Sequence, residues 1–172
     1  MTSWRLLPER PDSRRPLLLL DVDGVLVVLG DAGGEPVFEA RAGIFSVRIA
    51  ERTPQHVRAL AKEFDVAYAS SWGTGADDFI SPLIGLPHGI PHIPFDRDAE
   101  VPIGTTWKLP AVARFVRSRP AAWVDDEIDG DVDRWAASRA APTLVVCTDP
   151  SAGLLDTHVT ELLHFAGSVT CP

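Results

Sequence analysis

The run PLLLLDVDGVL, residues 16–26, joins an unbroken apolar segment to two carboxylates set one residue apart. A short run that is apolar at every position is covered on both faces, as a strand of a parallel sheet is. A carboxylate at the end of such a strand is costly unless a cation or hydrogen-bond donors meet it. The stretch therefore calls for a fold whose strand ends open onto a site. It also calls for a partner to Asp21 and Asp23 at that site.

Three more runs read as core strands: DVAYASS (65–71), AAWVDD (121–126) and TLVVCTD (143–149). Between them lie helical signals. Thr53 and Pro54 open a segment with Val57, Leu60, Ala61 and Phe64 on one face, and Pro110 opens PAVARFVRS. DVDRWAAS and DTHVTELLHFAG supply two further helices. VLVVLG, PVFEA and IFSVRI read as strands joined by glycine-rich turns, and residues 81–110 as mostly loop with a short strand near HIPF. Strand–helix alternation predicts an α/β domain, Rossmann-like and three-layered (α/β/α), with a mainly parallel central sheet. Residues 16–172 form this single domain and residues 1–15 a flexible lead-in.

The size of the chain, 172 residues, suits one domain with a substantial core. A net charge of -8 argues against a polyanion binder as a whole, although a local basic patch would still serve a nucleic-acid substrate. Cys147 and Cys171 are too few and too far apart for a zinc site or a disulfide framework, so a reducing, cytoplasmic setting is expected. No apolar run approaches the roughly 18 residues of a membrane span. MTSWRLLPERPDSRRP lacks the apolar core of a secretory signal. No membrane partner is expected.

In open α/β sheets, ligands gather outside the carboxyl ends of the strands. Three such ends carry polar groups at one relative position: Asp21 and Asp23, Ser70 and Ser71, Asp125 and Asp126. Four acids at neighbouring ends repel one another unless a hard cation lies among them, and magnesium, with its preference for oxygen ligands shared with phosphate, suits. Other motifs fit less well. DVDGVL has its glycine two places too early for a calcium loop, and in DGDVDRW Arg134 stands where that glycine belongs. WGTGADD opens like a dinucleotide fingerprint but has Asp78 at the third glycine position. His88 and His92 lack a third ligand and read as surface residues.

Taken together, these residues resemble the haloacid dehalogenase superfamily of aspartate-dependent phosphotransferases. DVDGVL is similar to its first motif, VAYASS to its second, Lys108 before a helix to its third, and WVDD to its fourth, in order across residues 16–166. SSW, WVDDE and TDPSAGLL are similar to small domains related to the Swiss-army-knife RNA-repair phosphatases. The resemblance implies that Asp21 attacks phosphorus and that Asp23 handles the proton. It implies that Ser70 and Lys108 bind the phosphoryl group, with Ser71 the alternative to Ser70 and Gly24 turning the chain beside it. It further implies magnesium held by Asp21, the Asp23 carbonyl, Asp125 and Asp126, with Asp129 or Asp131 as substitutes.

Lysine is not the default cation of this chain, which has 14 arginines against Lys62 and Lys108. That scarcity favours a specific task for Lys108, a compact charge in a crowded site. Trp72, Trp107 and Trp123 adjoin three of the motifs and read as core packing, with substrate stacking as the alternative. The segments between motifs are too short for a cap domain, so a capless member with a β-hairpin flap (residues 25–49) is expected. The expected activity is magnesium-dependent phosphomonoester hydrolysis on a large, nucleotide or RNA- or DNA-end phosphate. The competing expectation is a non-catalytic domain that keeps the fold and the metal.

Overall fold

The computed structural model describes residues 15–96 and 105–170. Strand β1 (Leu17–Leu20) precedes an antiparallel hairpin of β2 (Val37–Ala42) and β3 (Phe45–Ala50), then helix α1 (Thr53–Glu63) and β4 (Asp65–Tyr68). A π-helical turn, Ala76–Ile80, runs on into α2 (Ser81–Ile84). After it come α3 (Leu109–Val116), β5 (Ala121–Asp125), α4 (Gly130–Ser138), β6 (Thr143–Cys147) and α5 (Asp156–Thr170). The order β4-β1-β5-β6, every pair parallel, makes a four-stranded Rossmann-like sheet, and the hairpin stands apart from it. The lead-in lies almost wholly outside the described residues.

Why β1 is apolar at every position follows from its place. It is hydrogen-bonded on both edges, and its side chains alternate between two packed clusters. Leu18 and Leu20 join Val57, Leu60 and Phe64 from the α1 segment and Val159, Leu162 and Ala166 from α5. Leu17 and Leu19 join Val112 and Val116 of α3, Trp123 of β5 and Val132 of α4. None of the four leucines is more than 1% exposed.

The expected strand VLVVLG does not form. Val25, Leu26, Val27 and Val28 are buried at 4% exposure or less, but their backbone serves a turn. The N–H groups of Val25, Leu26 and Val27 all donate to the Val22 carbonyl. The stretch is then fastened to the loop after β6: Leu154 N–H donates to Val25 O, Leu29 N–H to Pro150 O and Ala32 N–H to Ser151 O. Apolarity reported burial correctly there, and tertiary contacts decided the backbone. Near HIPF only a single bridge, Tyr68 to His92, forms. The short helix around residues 76–84 carries no apolar periodicity long enough to announce it.

Proline marks the first turns of α1, α2 and α3. The hairpin closes through Gly43 and Ile44, and Gly43 has the positive φ of 63° that the first residue of a two-residue loop of the II′ kind requires. No helix among the described residues is long and apolar enough to cross a membrane. Because β1 is buried on both faces, Leu18→Ala should lower the unfolding free energy by about 2–5 kcal/mol, measured by urea denaturation. A loss below about 1 kcal/mol would mean that the strand is not the centre of the core.

Candidate functional site

Strand register assembles the site. Leu20 lies opposite Val124, and the Asp21 N–H extends the ladder to the Val124 carbonyl at 3.0 Å. The next step therefore sets Asp21 beside Asp125, on strands roughly 4.8 Å apart. By alternation both carboxylates leave the sheet on the side of Leu19 and Trp123. On the other edge of β1, Leu20 faces Tyr68, and Ala69 N–H donates to Leu20 O at 2.8 Å, which sets Ala69 beside Asp21 and Ser70 one residue further along. The three polar strand ends picked out in the sequence are thus neighbours, with Asp21 in the middle.

Lys108 enters from the residue that precedes α3. Its side chain is 3% exposed, and Nζ donates to Asp21 Oδ2 at 2.5 Å and to Asp125 Oδ2 at 2.7 Å. Burial pulls the ammonium toward release of its proton, but Asp21 and Asp125 outweigh burial and hold its pKa above the ordinary lysine value. Asp125 is fully buried; burial first, and then the charge of Asp21, push it up to about 6 against the pull of Lys108. Its Oδ2 also accepts from Trp123 Nε1 at 3.2 Å, and its Oδ1 from the Glu127 N–H at 3.1 Å. Asp21 Oδ1 accepts from the Val22 N–H at 2.7 Å.

Carboxylate oxygens of Asp21, Asp125 and Asp126 lie within 4.8 Å of one another, and no other His, Cys, Asp or Glu group among the described residues has such spacing. One ammonium does not balance three carboxylates, and the donors are all hard oxygens, so the set fits a divalent ion of the magnesium kind. Asp126, partly buried, is raised above its ordinary pKa by burial and by Asp21. It rests against Gly24, where an added Cβ would come within 2.4 Å of the Asp126 carboxyl carbon. Gly24 also has a positive φ of 71°, and its carbonyl accepts from Thr148 Oγ1 at 2.8 Å. The bridge between Asp23 and Val27 is closed by Val27 N–H to Val22 O and Gly24 N–H to Val27 O, leaving the Asp23 carbonyl outside it.

The Asp23 side chain stands apart from the three clustered acids. Its Oδ2 accepts from the indole Nε1 of Trp72 at 2.9 Å. Burial raises its pKa above the ordinary value, the Trp72 hydrogen bond opposes this, and the charge of Asp21 reinforces it. Ser70 is buried and its hydroxyl accepts weakly from the Trp72 N–H at 3.4 Å, whereas Ser71 is exposed. An indole N–H only donates, so a proton carried by Asp23 is left to Oδ1.

Four supporting contacts were not legible in the sequence. Trp123, expected as core packing, is fully buried and also donates to Asp125, and Trp72 donates to Asp23. Thr148 fixes Gly24. Asp131, weighed as a substitute metal ligand, is occupied otherwise: it accepts from the N–H and the hydroxyl of Thr106, at 2.9 and 2.8 Å, and so fastens the segment leading to Lys108 onto α4. Asp129 is exposed and outside the acid cluster, and His88 and His92 join no metal-type group. A cavity of about 370 Å³ between residues 105–107 and 126–129 opens beside Asp126.

Replacing Lys108 by Met leaves two buried carboxylates without their counter-charge. Thermal and urea unfolding should show a loss of about 3–5 kcal/mol, and millimolar magnesium should raise the variant's Tm more than that of the wild type. No family model matches the chain and no curated protein matches it, so its own geometry carries the functional reading.

Proposed function

We propose that the chain is a magnesium-dependent phosphomonoester hydrolase that works through an aspartyl-phosphate on Asp21, on a three-layer α/β/α domain of the haloacid dehalogenase kind. One observation carries the reading: two carboxylates two residues apart have opposite settings. Asp21 is clamped by Lys108 beside Asp125, while the Asp23 carboxyl is held by the indole N–H of Trp72. A nucleophile and a proton donor need such a division of labour. The two core clusters on opposite sides of β1 support the three-layer assignment.

In this mechanism an Asp21 carboxylate oxygen attacks phosphorus. The bond from phosphorus to the ester oxygen breaks with its electron pair on that oxygen, and Asp23 supplies the proton from Oδ1. Water then attacks the aspartyl-phosphate, giving its proton to Asp23, and the Asp21–phosphorus bond breaks to release phosphate, restoring the Asp21 carboxylate and the protonated Asp23. Ser70 and Lys108 meet the phosphoryl oxygens, where preset donors lower the barrier. Magnesium held by Asp21, Asp125, Asp126 and the Asp23 carbonyl would balance the carboxylates and draw off phosphoryl charge.

The hairpin is the single insertion of its size beside β1, and no second core of cap size is built on it among the described residues. That openness supports a nucleotide or nucleic-acid-end substrate over a small sugar phosphate sealed under a cap. An exposed free thiol at Cys147 supports a reducing, cytoplasmic setting.

Phosphate release from a panel of monoesters is the test. Release should require magnesium and stop with chelator. Asp21→Asn should abolish it, and Asp23→Asn should slow turnover by about 10²- to 10⁴-fold with magnesium affinity nearly unchanged. Equal release from wild type and Asp21→Asn would refute the mechanism. A folded, magnesium-binding wild type that hydrolyses nothing would turn the reading to the non-catalytic domain.

A further inference from the structure

Four large apolar side chains stand exposed among the described residues: Leu29, Ile44, Phe45 and Phe79. Scattered singly they would mean little, but three of them meet at one place. Ile44, 82% exposed, and Phe45, 57% exposed, form the tip of the β2–β3 hairpin. That tip lies over the turn after β4. The Phe45 ring meets Trp72 edge-on with centroids 5.5 Å apart, and an added Cβ on Gly43 would touch the Phe79 ring at 3.4 Å. Phe79 and Trp72 flank Gly75, whose added Cβ would lie 3.6 and 3.7 Å from them.

This apolar shelf is continuous with the reactive groups, because the same Trp72 ring donates its N–H to Asp23. The inference rests on the hydrolase reading at one point, the role of Asp23. A group that protonates the ester oxygen lies on the leaving-group side, so the atoms beyond that oxygen continue past Asp23 onto Trp72 and Phe45. A charged or heavily hydrated leaving group would lose its water there without recompense. A planar ring with an apolar face gains contact on three aromatic side chains. The chain's net charge of -8 favours a single nucleoside over a long polyanion as the bearer of that ring.

We infer that Ile44, Phe45, Trp72 and Phe79 form a leaving-group subsite for an aromatic ring, and that the substrate class is nucleoside monophosphates. The hairpin is then a selector of the leaving group, and Phe45 its specificity-determining residue.

The comparison of adenosine 5′-monophosphate with ribose 5-phosphate isolates the ring, since both present the phosphate on a primary alcohol. Wild-type kcat/KM should favour the nucleoside ester by about tenfold or more, the worth of one good stacking contact. Phe45→Ser, at an exposed position, should lower kcat/KM for the nucleoside ester about tenfold more than for ribose 5-phosphate. Affinities of the same two esters for Asp21→Asn, read calorimetrically in magnesium, should show the same preference, and Asp21→Asn with Phe45→Ser should lose it. Equal affinity for the two esters would overturn the subsite whether or not the wild type turns them over. So would a preference indifferent to Phe45→Ser. Ring-selective binding without any turnover by the wild type would retain the subsite and sink the hydrolase reading instead.

Discussion

A buried ammonium between two carboxylates is the contact on which the rest of the molecule depends. Side by side on adjacent strands, Asp21 and Asp125 repel by about 3 kcal/mol at the effective dielectric of a protein interior. Lys108 reaches each at 2.5 and 2.7 Å, and each attraction is worth about 6 kcal/mol on the same scale before desolvation takes back most of it. Attraction therefore wins over repulsion, and two acids are held where the register alone would drive them apart. The balance is incomplete. Asp126 joins the cluster with no ammonium of its own, and that deficit is what a divalent ion would meet.

Around this contact the sheet, two helices and a loop act as a frame. Trp123 and the Glu127 N–H fix both oxygens of Asp125, and the Val22 N–H fixes the second oxygen of Asp21. The Asp131–Thr106 pair anchors the approach to Lys108. On the far side the character changes from charged to apolar, and Trp72 stands at the boundary with its N–H on Asp23 and its ring against Phe45. On the proposed reading, such a gradient would separate the phosphoryl half of a bound ester from the half that departs.

Much of this was legible in the amino-acid sequence because it rests on short-range pattern. Apolar runs of strand length marked β1, β4, β5 and β6, and the polar groups that follow three of them came together because parallel pairing sets strand ends side by side, Asp21 level with Asp125 and Ser70 one residue beyond that level. Lys108 was visible through scarcity. What was not legible depends on contacts between distant residues. VLVVLG is apolar enough for a strand, yet it coils into a turn because the loop after β6 claims its backbone. Asp131 looked like a ligand to spare until Thr106, 25 residues away, took both its oxygens. Tryptophan beside a motif read as packing, with substrate stacking as the alternative, and neither foresaw a hydrogen bond to an acid, since nothing local says where an indole N–H will point.

The Thr148–Gly24 hydrogen bond ties residues 124 positions apart. Among the described residues strand β6 has a neighbour on one edge only, and its departure from the sheet would free Gly24 and the carboxyl group of Asp126 that rests on it. Order at the acids and integrity of the sheet's edge are consequently two faces of one equilibrium. Whatever binds the assembled carboxylates therefore also holds β6 against β5.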